Sequence, residues 1–153
     1  MQTVAMAVRV RGVRDEDLTS LLSIWRAAVE ASHGFLTSED VDWYEKLVAG
    51  YLPQMGDLRV AVDADDAPLG FIAQDAGEIH MLFVSPDAQG RGAGSALLEH
   101  VAQDQPELRL DVNEQNPAAV AFYTAKGFRQ VGRSELDGQG RPFPLLRLVR
   151  DAS

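Results

Sequence analysis

Cysteine is absent from the 153 residues, which excludes disulfides, thiolate metal sites and a cysteine nucleophile together. Histidine occurs only three times, scattered and with no HExxH pair, so no metal site is expected. No apolar run approaches the roughly 20 residues needed to cross a bilayer. The start, MQTVAMAVRVRG, lacks the positive segment and long apolar stretch of a signal peptide. No membrane partner and a cytoplasmic location are therefore expected. Positive charge is also scarce: 14 Lys and Arg stand against 23 Asp and Glu, a net −9. Residues 1–75 hold −7 of it and residues 76–153 only −2. Such a field repels phosphate-rich polymers, so no nucleic-acid partner is expected. It would not repel a small cation, although charge of this kind also serves solubility alone.

What is present is ordinary for a soluble globular chain, with 46 % apolar and 24 % charged residues. The length suits one domain with a sizeable core, taken as residues 1–153. Val8, Val10 and Val13 alternate toward a first strand ending near Gly12. Asp15 to Asp17 then open a helix carrying Leu18, Leu21, Leu22, Trp25, Ala28 and Val29 at helical spacing. Thr37 or Ser38 caps a second helix. After Pro53 the period becomes two, and the runs Leu58–Val62, Leu69–Ala73 and Glu78–Val84 read as an antiparallel meander. A helix over Gly94–Gln103, a strand over Leu108–Val112 and a helix over Pro117–Lys126 follow. Gly127 stops that last helix, and strands over Phe128–Arg133 and Leu145–Val149 close the chain. The order β-α-α-β-β-β-α-β-α-β-β is α/β with a mixed sheet.

One turn carries chemistry. Between the strand ending at Val84 and the helix after it lie Gln89, Gly90, Arg91, Gly92, Ala93, Gly94 and Ser95. Three glycines let an anion approach the backbone, and the free N–H groups and dipole of a helix start favour a phosphate. Arg91 can add a charge-assisted contact. Dinucleotide folds and P-loops use the same physics, and a tight strand-to-helix turn needs glycine without any ligand. Position 97 is Leu, however, so GxGxxG is not met, and no GKS or GKT is present.

Gln89-x-x-Gly92-x-Gly94 resembles the Q/R-x-x-G-x-G/A acetyl-coenzyme A signature of the GNAT (Gcn5-related N-acetyltransferase) superfamily. Asn113 to Tyr123 followed by Gly127-Phe128 resembles the second signature of that family, and the likeness in element order spans essentially the whole chain. His33-Gly34-Phe35-Leu36 and Gly138 to Leu146 are similar to the small bacterial YjaB-type branch. The resemblance implies a GNAT fold, a central mixed, mostly antiparallel twisted sheet of about six or seven strands flanked by about four helices. It implies acetyl-coenzyme A as cofactor and transfer of its acetyl group to a primary amine of a small molecule or peptide, by direct attack in a ternary complex.

The same resemblance distributes roles. An amine of pKa about 10 is protonated at neutral pH and needs a base or a proton wire. Glu78, eleven residues before Gln89, has a spacing similar to that of the catalytic glutamate of histone-acetyltransferase-type members. Strand alternation puts His80 on the same face, and either can take the proton, directly or through water. Tyr123 is implied as the acid that protonates the leaving thiolate, with a core aromatic as the plain alternative. Asn116 can orient the pantetheine arm or cap the helix, and the two roles do not exclude each other. Leu82, Phe83 and Val84 offer strand backbone to that arm. His33, Phe35, Trp43 and Tyr44, with Arg141 and Phe143 of the 137–144 loop, belong to regions that line the acceptor side in the family. Stapling helices to the sheet is the other reading of those aromatics. A homodimer through the C-terminal strands is expected by analogy. A catalytically weak coenzyme A-binding sensor on the same fold is the competing function.

Overall fold

The computed structural model describes residues 8–32 and 34–151. Its element order is that read from the sequence. β1 (Arg9–Gly12) leads through a 3-10 turn over Asp15–Asp17 into α1 (Leu18–Ser32), and α2 (Ser38–Tyr51) follows. The acidic triplet thus precedes the α-helix rather than forming its first turn. The reason is local: the buried Asp17 carboxylate accepts from the Arg14 N–H at 2.8 Å and from Arg11 Nη1 at 2.8 Å. These bonds fix the exit from β1.

α2 begins with a reciprocal cap. Thr37 Oγ1 accepts from the Asp40 N–H at 3.1 Å, and Asp40 Oδ2 accepts from the Thr37 N–H at 3.0 Å. Then come β2 (Leu58–Val62), β3 (Pro68–Asp75), β4 (Glu78–Val84), α3 (Ala93–Ala102), β5 (Glu107–Asn113), α4 (Pro117–Ala125), β6 (Arg129–Ser134) and β7 (Leu145–Asp151).

The described residues thus form a seven-stranded sheet in the order β1-β2-β3-β4-β5-β7-β6 with four α-helices. Every neighbouring pair is antiparallel except β4 and β5. Two cores cover the two faces. Leu97, Leu98 and Val101 of α3 pack with Ile72, Leu108, Leu110 and Leu148 on one. Leu21, Trp25 and Val29 of α1 pack with Val60, Val62 and Phe71 on the other. Each fully buried aliphatic side chain contributes about 1.5–3 kcal/mol. No helix among the described residues is long and apolar enough to cross a membrane.

Two irregularities position the site. In β4 the register with β3 slips: Ala73 pairs with Met81 but Gln74 pairs with Ile79, leaving His80 as an extra, bulged residue. Strict alternation therefore breaks there, with Ile79 in the α3-side core and Met81 in the α1-side core. Just beyond it, β4 and β5 separate. They pair only through Glu78↔Arg109 and Ile79↔Leu110, although each strand continues for several residues.

Candidate active site

A parallel pair that stops after two residues leaves an open wedge. Among the described residues, none pairs as a strand with β4 from Met81 to Val84 on its β5 side. Here the fold opens a cavity of about 700 Å³, walled by Leu82, Phe83 and Val84 on one side and Val112 and Asn113 on the other. Unpaired strand edges of this kind accept an extended amide chain as if it were another strand.

The cavity's far end is the turn into α3. Gly90 and Gly92 have φ of +83° and +81°, where a side chain would strain the backbone. Gly92 is the N-cap residue of α3 and carries no side chain with which to cap it, and Ala96 N–H is bonded to Gly92 O at 2.9 Å. The N–H groups of Ala93, Gly94 and Ser95 before it are the orphan donors of a helix start. Gly94 is pressed from the other side, since a Cβ there would lie 3.4 Å from Phe122 Cζ and 3.5 Å from Val84 Cγ2. A helix N-terminus free of side chains, at the end of a groove edged by strand backbone, fits a pyrophosphate followed by a pantetheine arm.

α4 supplies the remaining wall. Asn116 is buried and caps this helix, its Oδ1 accepting from the Ala119 N–H at 3.2 Å. Tyr123, 8 % exposed, lines the cavity and meets Phe122 and Phe128 edge to face at 5.3 and 5.4 Å. Burial pushes its phenol pKa up, so the hydroxyl keeps its proton throughout the physiological range.

Of the residues expected to hold the coenzyme, Leu82, Phe83, Val84, Gln89, Gly90, Gly92, Ala93, Gly94, Ser95, Asn116 and Tyr123 all line this one cavity, and Arg91 does not. His80 lines it and is exposed, whereas Glu78 is not among its walls. The Glu78 carboxylate is instead clamped by Arg147, whose two terminal nitrogens donate at 2.7 and 2.5 Å, with Arg109 Nε at 3.4 Å. Bonding from Arg147, reinforced by the charge of Arg109, holds its pKa below the usual carboxylate range. A carboxylate so held is a weak proton acceptor.

The expected acceptor residues come together, but away from this cavity. Arg141 stacks 4.4 Å above the Trp43 ring and 5.4 Å from Tyr44, and its Nη2 donates to Asp40 at 2.5 Å. Phe143 packs on Phe35 at 5.7 Å and on Tyr44 at 6.3 Å. The Tyr44 hydroxyl donates to Asp137. Desolvation first, and that acidic partner second, push its pKa up. The 137–144 loop is thereby fastened to α2. His33 lies outside the described residues. Asn113, Ala119 and Phe122 also line the cavity; they lie inside the second signature stretch, though no role was expected of them, whereas Asp111 carried no signal in the sequence.

These features are those of an acyltransferase built on a coenzyme A groove. The model of the acetyltransferase (GNAT) domain family matches residues 34–144, and the chain belongs to that family, within its YjaB-type branch. The peptidyl-lysine N-acetyltransferase YjaB of Salmonella typhimurium strain LT2 is 42 % identical over 144 residues, covering 94 % of this chain and 99 % of its own. Its counterpart of Escherichia coli strain K12 is 43 % identical, covering 94 % and 97 %. The apo-form solution structure of E. coli YjaB superposes with a TM-score of 0.90 at 41 % identity, covering 97 % of this chain and all of that one. The PaiA N-acetyltransferase of Thermoplasma acidophilum, solved with coenzyme A, shares the fold at a TM-score of 0.73 and 22 % identity, covering 95 % and 99 %. The protein is an N-acetyltransferase that uses acetyl-coenzyme A and acetylates an amine.

Proposed function

We propose that the acceptor is the side-chain amine of a lysine in a peptide or protein, attacked directly while both substrates are bound. The observation that carries this reading is the wedge between β4 and β5, where His80 and Tyr123 line one cavity at the head of the coenzyme groove. The names of the YjaB relatives support the choice of lysine. Acetyl-coenzyme A supplies a thioester whose acetyl carbon forms a C–N bond with the amine as the C–S bond breaks.

This chain's residues handle the protons and the alignment. His80, bulged out of β4 and exposed in the cavity, takes one proton that the amine sheds. Tyr123 gives its phenolic proton to the departing sulfur, which would otherwise leave as a thiolate, and the second proton lost by the nitrogen as the amide forms restores the phenol. The β4 edge from Leu82 to Val84 holds the pantetheine amides, and the α3 start from Ala93 to Ser95 holds the pyrophosphate. Asn116 caps α4 and lies against the same arm, so the two roles read from the sequence are compatible. Glu78 acts as a structural clamp on Arg147.

On this reading the chain works as one catalytic domain in the bacterial cytoplasm. The single continuous sheet supports the first part, and the bacterial origin of the YjaB relatives the second. Among the described residues β6 is the last strand of the sheet, with no strand on its outer edge, which supports a homodimer through the C-terminal strands. Incubation with acetyl-coenzyme A and lysine-containing peptides, followed by thiol release and peptide mass, tests the proposal. Acetyl-lysine is the expected product. Coenzyme binding with no transfer to any amine would favour a sensor instead.

A further inference from the structure

A second cavity of about 320 Å³ lies over the sheet, lined by Asp111 of β5, by Leu145 and Arg147 of the adjoining β7, and by the end of β6 with the loop that follows it. Asp111 is the one residue that lines both cavities. It is the first β5 residue past the last pair with β4, so it stands where the strands begin to part. Leu108, Leu110 and Val112 fill the α3-side core, and alternation turns Asp111 to the opposite face, with Arg147 and Glu78.

Among the described residues lining the main cavity, Asp111 is the sole carboxylate, and no Lys or Arg lines it. Its carboxylate is also under-used. Arg147 Nη1 donates to it at 3.3 Å while committing both terminal nitrogens at shorter range to Glu78. The Asp111 side chain is 46 % exposed. A carboxylate can accept about four hydrogen bonds. The other cation of the second cavity, Arg133, is spent on Glu114 and Glu135 at 2.6 Å each. An anionic acceptor would therefore find no free positive partner here, and an ammonium finds a carboxylate with capacity to spare.

We propose that the acceptor amine approaches through the second cavity and is held as an ammonium by Asp111 before it gives up its proton. The alkyl chain behind the nitrogen lies along Leu136 and Leu145, which also line that cavity. At about 30 Å³ per water molecule the space equals roughly ten waters, enough for an unbranched alkylamine chain. Asp111 does no bond-making; it sets which acceptors bind and where the nitrogen sits. This inference rests on the amine-acetylating reading above and adds the route and the anchor.

The test compares wild type, Asp111→Asn, Asp111→Glu and Leu136→Trp in steady-state acetylation of a lysine peptide, a diamine and a peptide whose only amine is its N-terminus. Coenzyme affinity is measured calorimetrically alongside. Losing a charged hydrogen bond corresponds to about a ten- to hundredfold rise in the amine KM for Asp111→Asn. The coenzyme Kd should stay unchanged, kcat should change far less than KM, and Asp111→Glu should recover part of the loss. Leu136→Trp, filling the second cavity from a half-exposed position, should raise the amine KM as well. An unchanged amine KM in Asp111→Asn, or a loss matched by an equal loss of coenzyme affinity, overturns the inference and leaves the acetyltransferase reading standing. Preference for the N-terminal amine would overturn the choice of lysine but not Asp111, whose replacement must then raise the KM of that amine. Failure of wild type to acetylate any of the three overturns both.

Discussion

Replacing Glu78 by Gln separates a structural clamp from a catalytic base. The substitution removes the charge that receives two bonds from Arg147, at 2.7 and 2.5 Å, and attracts Arg109 at 3.4 Å. Hydrogen bonds to charged groups contribute about 1.5–3 kcal/mol. The Glu78 side chain is a quarter exposed, and solvent screening brings the expected loss to about 1–2 kcal/mol. For a chain of this size that lowers Tm by roughly 2–8 °C. The pKa of Glu78 is depressed in the folded protein, so its contribution is full above the unfolded value of about 4.3 and is lost as pH falls through the lower folded value. The gap in Tm between wild type and variant should therefore close in acid. Turnover should fall by far less than the roughly 10²–10⁴ that a missing base costs. Thermal melts from pH 3 to 8 and the pH profile of kcat/KM read both quantities. A variant as stable as wild type whose kcat/KM drops a hundredfold and loses its rise with pH would refute the clamp and restore Glu78 as the base.

Gly92→Ala places a side chain at φ +81°, which costs about 1–2 kcal/mol, and no atom lies within 4 Å to clash with it. Both Tm and coenzyme affinity should fall; calorimetry showing unaltered affinity would remove that turn from the pyrophosphate site. Arg141→Ala unstacks the guanidinium from Trp43 and frees the loop from Asp40. A shifted Trp43 emission and a higher KM for a peptide acceptor should result, with the coenzyme Kd constant, and an unmoved peptide KM would confine the cluster to stapling the loop. Asp17→Ala removes the buried partner of Arg11, which keeps Asp66 at 3.0 Å, and should cost about 1.5–3 kcal/mol in urea unfolding. Asp17 also has a depressed pKa, chiefly from Arg11, so that penalty should be present above about pH 3.9 and shrink below it; a penalty independent of pH would contradict the ion pair.

Most of the fold was legible because its elements obey simple periods. β4 spans Glu78–Val84 in the structure as in the alternating pattern, and α2 starts behind Thr37, which was one of the two candidate caps. Gly127 takes the positive φ expected of a helix stop. Gly90, Gly92 and Gly94 were legible because glycines before a helix leave a local signature, and Leu82 to Val84 were expected from the family resemblance alone; all six line the cavity, and Arg91 does not. What stayed hidden depends on contacts across the sheet. Alternation alone placed Glu78 and His80 as equivalents, and only the slip opposite Ala73 and Gln74 shows that His80 is bulged. The clamp on Glu78 comes from Arg147, 69 positions away on β7. Asp111 looks like any solvent-facing strand residue until the early end of the β4–β5 pairing puts it at the mouth of the wedge. The cluster of Tyr44, Arg141 and Phe143 was legible as a group, whereas its position outside the groove was not.

The central claim, that the groove ends in a proton donor poised for the departing sulfur, is tested most directly on Tyr123→Phe. Acetylated lysine peptide and free thiol should be quantified at saturating peptide and coenzyme, with coenzyme affinity measured on the same preparations. The account predicts a kcat lower by about 10²–10⁴ with an unchanged Kd for acetyl-coenzyme A. A variant that turns over as fast as wild type would contradict it.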